Sequence, residues 1–292
     1  MVNQRIGFIG AGRVASVLAQ LWSEAGERIL GVTSRNEQSA QRLARGIEDC
    51  LVFESAQQLA DYADIVFITV PDDAIAEVAA QVAWQPEQRV VHCSAATELT
   101  ALAPAAAQGA YVGGFHPLQI FSDPATARRH LPGSFIAIEA QAPLLAELER
   151  LAGVLHCRPL DLPPGARVRY HVAANYAASF LLAVLKEAED LWQQCGLPGD
   201  LALQALMPLA AGTLAAADAA GLSGALAGPF ARGDIGVVQR HLAALQQSPA
   251  TVAGESGTDF YRLLGSRLLA LAQARGLPQK KLHELQRLLQ HP

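Results

Sequence analysis

The sequence predicts an α/β fold: a doubly wound, mainly parallel sheet over residues 1–162, followed by a second, all-helical domain over residues 163–292. Three observations predict it. Short apolar runs alternate with helical patterns as far as residue 160, the order that parallel βαβ units require. A glycine-marked turn joins the first apolar run to the first helical pattern. Beyond residue 166 no strand-like run recurs, and the apolar spacing becomes three-and-four.

The first strand is Ile6-Gly7-Phe8-Ile9, and the turn is Gly10-x-Gly12-x-x-Ala15. Gly10 suits a tight turn, Gly12 leaves room for an approaching ligand, and Ala15 lets the helix pack close to the strand. Helical spacing follows in Val14, Val17, Leu18, Leu21 and Trp22. Backbone amides of Ala11, Arg13 and Val14 at such a helix start face an anion. The ligand this arrangement fits is a dinucleotide pyrophosphate.

Residues 28–33 read as the second parallel strand. Where an NAD site usually places an acid, this chain has Ser34-Arg35-Asn36. A hydroxyl and a guanidinium suit the 2′-phosphate of NADP, which a carboxylate would repel. Residues 38–45 read as a helix, and 63–70 as a strand covered on both faces, since it is almost continuously apolar. Its carboxyl end, Val70-Pro71, is placed to border the nicotinamide-side ribose. Asp72 and Asp73 then read as caps of a helix over 74–82. Residues 89–93 form a further strand whose following loop, from Ser94, should border the cofactor. His92 lies inside that strand and reads as a core group or a support of the site.

A helix over 101–107 leads to a strand that delivers His116 to its end, beside Pro117. Residues 135–139 and 155–160 complete the sheet around a helix over 144–153. The proline-rich stretch 161–166 reads as the hinge between domains. After it the pattern is helical without interruption over 168–195, then over 201–219, 233–244, 258–274 and 279–289. Alanine-rich faces there suit either a dimer contact or the domain's own core.

Two polar groups in this half exceed what packing needs. His171 and Asn175 share one helix face at i,i+4 spacing; an imidazole exchanges a proton near neutral pH and an amide orients a substrate oxygen. Arg232 and Asp234, in Gly228-Pro229-Phe230-Ala231-Arg232-Gly233-Asp234, read either as a mutual pair with Asp234 as a cap, or as a substrate site in which the arginine grips a carboxylate.

Composition narrows the class. The 292 residues are 51% hydrophobic and 17% charged, with net charge −5, and no basic stripe points to nucleic acid. Cys50, Cys93, Cys157 and Cys195 form no CxxC pair or Cys/His cluster, so neither a metal site nor a disulfide framework is expected. Met1 leads almost directly into the first strand, and the nearest approach to a membrane span, residues 168–184, is broken by Arg169, His171 and Asn175. A cytoplasmic protein without a membrane segment is therefore expected.

With these motifs in view, the chain resembles the 6-phosphogluconate-dehydrogenase-like NADP-binding proteins, and among them the Rossmann-like branch with a DUF2520 C-terminal domain. The resemblance is carried by residues 7–15, Gly114-Phe115-His116-Pro117-Leu118, Tyr170-His171-x-Ala173-Ala174, and Gly228-Pro229-x-x-Arg232-Gly233-Asp234 with His241-Leu242. It implies an NADP-dependent oxidoreductase with a helical second domain, usually a homodimer, related to 3-hydroxyacid dehydrogenases and more distantly to pyrroline-5-carboxylate reductase and prephenate dehydrogenase. The hydroxyacid dehydrogenases carry a catalytic lysine four residues before an asparagine; here His171 stands in the lysine position and Asn175 is kept. The expected reaction is hydride transfer between NADP(H) and a small carbonyl, hydroxy or imine compound carrying a carboxylate. His171, Asn175 and His116 are the expected catalytic residues. The alternatives are a non-catalytic NADP-binding sensor or assembly protein, and a flavin- or deazaflavin-linked reductase.

Overall fold

The computed structural model describes residues 4–247 and 257–290. The chain divides into two compact units, Met1–Ala178 and Ser179–Pro292.

In the first unit β1 (Ile6–Ile9), α1 (Arg13–Glu24), β2 (Ile29–Thr33), α2 (Glu37–Arg45), β3 (Leu51–Val52), α3 (Ala56–Tyr62), β4 (Ile65–Ile68), α4 (Asp72–Gln81) and β5 (Arg89–His92) follow one another. A 3-10 turn (Leu99–Leu102), α5 (Ala103–Ala106), β6 (Tyr111–Pro117), α6 (Pro124–His130), β7 (Phe135–Ala140), α7 (Leu144–Val154), β8 (Arg158–Asp161) and α8 (Arg167–Ala177) complete it. The strands form one sheet in the order β3-β2-β1-β4-β5-β6-β7-β8. All neighbours run parallel except β6 and β7.

Alternation along the strands builds two cores. From β4, Ile65 and Phe67 join Phe8, Trp22 and Phe115 on one face, while Val66 and Ile68 join Leu59, Ile75 and Trp84 on the other. The order reverses between β1 and β4, and ligands of such sheets bind in the crevice at that reversal.

Three elements escape the periodicity reading. β3 has two residues, both exposed, and α3 and α6 have seven each, too short for an apolar period to show. The helix expected over 168–195 is interrupted at Ala178 (φ −116°, ψ −84°), where α8 ends. α8 stays with the sheet because Arg167, its first residue, is fully buried against β7. The division consequently falls after residue 178 rather than at 162/163, and the stretch 161–166 is a connection within the first unit.

The second unit comprises α9 (Ser179–Gln194), α10 (Gly199–Ala225), α11 (Gly228–Arg232), α12 (Ile235–Gln246), α13 (Gly257–Ala274) and α14 (Gln279–Gln290). Phe230, Val238, Leu242, Leu285 and Leu289 form its core, with Tyr261 and Leu268 packed against it. α9 buries no residue and α10 only Ala202. Within Gly199–Arg232 an 18-residue stretch has a mean hydropathy of 1.4, long and apolar enough to cross a membrane by length and composition only. This corrects the expectation that residues 168–184 come nearest to a span.

Candidate active site

Two sites lie in the first unit, one along the switch point of the sheet and one at the ends of β5 and β6.

At the first, Gly10 has φ +109°, and a Cβ there would lie 2.6 Å from the Thr69 carbonyl oxygen; only glycine makes this turn without strain. A Cβ on Gly12 would meet nothing nearer than 3.8 Å, so the missing side chain there opens space toward a ligand. Gly12 caps α1 with no side-chain hydrogen bond, which leaves the amides of the first turn for an anion. A cleft of about 580 Å³ opens here, lined by Gly10, Ala11, Gly12, Ser34, Arg35, Val70 and Pro71. Ser34 Oγ accepts from the Asn36 amide at 3.2 Å, and Asn36 Oδ1 accepts from Ser39 at 3.0 Å to cap α2. Arg35 is exposed at this rim. The glycine cradle, uncapped helix start and guanidinium fit a dinucleotide with a third phosphate. Asn36, Ser39, Glu54 and Ser55 also line the cleft; none was foreseen as a contact.

Three expected contacts sit differently. The Arg13 guanidinium donates to the Phe121 carbonyl at 3.4 Å, and neither Arg13 nor Val14 is among the residues that line the cleft. Ser94 is absent from the lining. Its hydroxyl donates to Asp72 Oδ2 at 2.7 Å and accepts from the Thr97 amide at 2.9 Å. Ser94 therefore closes the loop after β5 onto the start of α4, and Asp72 serves that closure.

The second site gathers three histidines. His116, near the end of β6, shares a 2.8 Å hydrogen bond between Nδ1 and the Tyr170 hydroxyl, with the rings edge to face. Burial, then the facing charges of His171 and Arg167, lowers His116 to about 4. Burial, then Arg167 and His116, lowers His92 to about 3; its Nδ1 accepts from the Ser94 amide at 3.2 Å and its Nε2 is buried without a partner. His171 Nδ1 is likewise buried and unpartnered. Tyr170 is raised to about 12 by burial. The structure thus brings His171 to His116, and adds Tyr170 between them in sequence. Asn175 lies one turn further along α8, half-buried. At neutral pH this cluster offers a protonated phenol joined to a neutral imidazole, which can pass a proton without carrying net charge.

Arg232 and Asp234, in the second unit, take the pairing alternative: Arg232 Nε donates to Asp234 Oδ2 at 2.8 Å, and the arginine side chain is 63% exposed. His241 there shares a 2.8 Å bond with Tyr261.

Arg167 and Glu139 are polar groups that no sequence motif singles out, and Tyr170 enters the sequence only as a motif residue without an assigned role. Two signals were present. Arg167 and Tyr170 stand four and one residues before His171 on one helix, and Glu139 ends an otherwise apolar strand.

Residues 5–96 match the family model described as NADP oxidoreductase, coenzyme F420-dependent, and residues 134–268 match the domain of unknown function DUF2520. No curated protein matches the chain. Among solved structures, a candidate NADP oxidoreductase from Bacteroides fragilis is similar at 25% identity and TM-score 0.66, over 97% of this chain and 98% of that one. A reductive aminase from Aspergillus terreus, in complex with NADPH and ethyl-5-oxohexanoate, shares the fold at 15% identity and TM-score 0.61, over 99% and 93%. So does an imine reductase from Pseudomonas sp., at 15% identity and TM-score 0.58, over 98% and 92%.

Proposed function

Since the chain joins an NADP-oxidoreductase Rossmann domain to a DUF2520 domain, we propose that it passes a hydride between NADP(H) and a small imine, with small carbonyl compounds as the weaker substrates. It is an NADP-dependent oxidoreductase, and the finer assignment rests on the uncharged proton-transfer group around His116.

The first-turn amides of α1 would hold the pyrophosphate, Ser34 and Arg35 the 2′-phosphate, and Val70-Pro71 would border the ribose. When bound, the nicotinamide would supply or receive the hydride, and the protein would supply pose and electrostatics. Tyr170 donates its proton toward the substrate and recovers it through His116. His171 stands beside this pair as a second proton carrier, and Asn175 orients the substrate heteroatom.

The choice of imine over ketone follows from acid strength. Ketone reduction generates a strongly basic alkoxide that demands an acid or a fixed cation at the oxygen. A phenol raised to about 12 and imidazoles held neutral at about 4 and about 3 are weak acids. An imine nitrogen is a far stronger base than a ketone oxygen, so the proton that Tyr170 offers suffices for the imine and not for the ketone. Arg232, engaged with Asp234, is not assigned a substrate carboxylate.

The test is NADPH oxidation over a panel of cyclic imines and the matching ketones. Faster turnover of the imines is expected; ketone turnover at equal or greater kcat/KM rejects the assignment. Binding of NADPH with no turnover of any member marks the sensor alternative.

The F420-dependent description of the matched N-terminal model favours a second reading, in which a deazaflavin exchanges the hydride with NADP. Bleaching of oxidised F420 by NADPH in the presence of the protein identifies it.

We also propose a homodimer. Leu182, Leu201, Leu203, Leu209, Leu214 and Leu222 on α9 and α10 are all exposed in the single chain, and a second copy of the same face supplies a matching apolar surface.

A further inference from the structure

The reaction proposed above leaves the second unit without a chemical role, yet that unit holds a groove of about 550 Å³. On α12 the lining residues Ile235, Gln239, Leu242 and Gln246 follow one another at four- and three-residue steps, and on α14 Glu284, Arg287 and Leu288 do the same. Each helix therefore turns one face to the groove. Leu242 belongs to the core of the unit, with Ile235 and Leu288 packed against it, so the floor is apolar. Arg262 of α13 joins the two arms of α14 to complete the charged part of the lining.

These charges are not spent inside the unit. Arg262 is the deepest of them: its side chain is 17% exposed and its Nε is buried without a partner. Its ion pair is an approach of Nη1 to Asp259 at 3.5 Å, and that carboxylate is itself 68% exposed. The distance is too long for a strong hydrogen bond, and solvent around Asp259 weakens the attraction. Among the described residues no carboxylate lies within ion-pairing distance of Arg287, although Glu284 stands one turn before it. A guanidinium largely removed from water with hydrogen bonds unmade is costly until an anion meets it, and its planar fork matches a carboxylate.

We propose that this groove binds a small organic monocarboxylate with an apolar body. Arg262 and Arg287 take the carboxylate, and the body lies on Leu242 and Leu288. Glu284 selects the charge of the ligand. Two guanidiniums and one carboxylate leave the lining one positive charge in excess, which a monoanion neutralises, whereas a phosphate dianion is repelled by Glu284. The groove shares no residue with the nucleotide cleft, so the site stands or falls independently of hydride transfer.

The test is an NMR titration of the full chain, labelled at its isoleucine and leucine methyls, with hexanoate, hexyl phosphate and hexylamine in separate arms. Hexanoate is expected to shift the methyls of Ile235, Leu242 and Leu288 saturably, hexyl phosphate to bind more weakly, and hexylamine to leave them unmoved. Arg262→Met keeps the apolar stem and strands no buried charge, since Asp259 is exposed. It is expected to weaken hexanoate by about 10-fold, and Arg287→Gln by about 3-fold, the worth of hydrogen bonds to a charged group. Absence of saturable shifts at these methyls, equal binding of hexylamine, or an affinity unchanged in both variants overturns the proposal. Tighter binding of hexyl phosphate overturns the choice of a carboxylate. If Arg262→Met does not fold, Arg287→Gln, at an exposed position, decides alone.

Discussion

Tyr170 and His116 meet across 2.8 Å, in surroundings whose burial opposes charge on either ring. Tyr170→Phe removes the phenolic proton while keeping the ring, and the expected result is a fall in kcat of about 100-fold or more with NADPH affinity unchanged. Steady-state rates on a cyclic imine, with NADPH binding measured by calorimetry, check both halves. Arg35 works at a different distance from the chemistry: exposed at the rim of the cleft, it is free to meet a phosphate. Arg35→Ala is expected to weaken NADPH by about 10- to 100-fold, the worth of charge-assisted hydrogen bonds to a phosphate, and to leave NADH binding unchanged. Equal losses for the two nucleotides would place the 2′-phosphate elsewhere.

At the scale of elements, the turn between β1 and α1 is where local chemistry and tertiary crowding agree. Gly10 needs both its positive φ and its missing Cβ, since the Thr69 carbonyl stands 2.6 Å from where that atom would be. Gly10→Ala is expected to cost about 1–3 kcal/mol through overpacking and strain and to abolish NADPH binding; urea melts and calorimetry report the two effects. A variant that binds normally would show that the turn is only a connection. α8 carries the opposite lesson. Its helical spacing was readable, and so were His171 and Asn175, but its anchoring by Arg167 and the break at Ala178 were not. Helical periodicity continues across that break unchanged, because it records which residues are apolar and not where the backbone turns.

At the scale of the whole molecule, the buried histidines make the fold sensitive to acid. In the unfolded chain His116 and His92 take up protons near 6.5, whereas in the folded protein they resist until about 4 and about 3. Between those values the unfolded state binds more protons, so stability falls as pH falls. Their contribution is complete above 6.5 and is lost progressively down to about 4 for His116 and about 3 for His92. For His116 alone this amounts to roughly 3 kcal/mol. Urea midpoints measured through this window are expected to drop steeply, and less steeply in His116→Gln; identical slopes would remove the histidine from the account. The exposed apolar faces of α9 and α10 bear on assembly. Light scattering is expected to give twice the 30.9 kDa chain mass without detergent. A monomer under those conditions rejects the dimer, and a requirement for detergent points to a membrane at α10.

The sheet of Rossmann type, the glycine turn, the Ser34-Arg35 pair after the second strand and the helical character of the second half are legible in the chain itself. Each is written in neighbouring residues, as a period, a missing Cβ or a charge beside a strand end. It also brought His116 and His171 forward as candidates, one from a strand end and one from a helix face. Their meeting, the joining of Tyr170 to them and the bond from Ser94 to Asp72 come from tertiary structure alone. Those outcomes depend on strand order and on a guanidinium held between Glu139 and the Ser94 carbonyl, 28 and 73 residues away in the chain. Local sequence encodes no such separation: a buried charge finds its partner only after the sheet has closed around it.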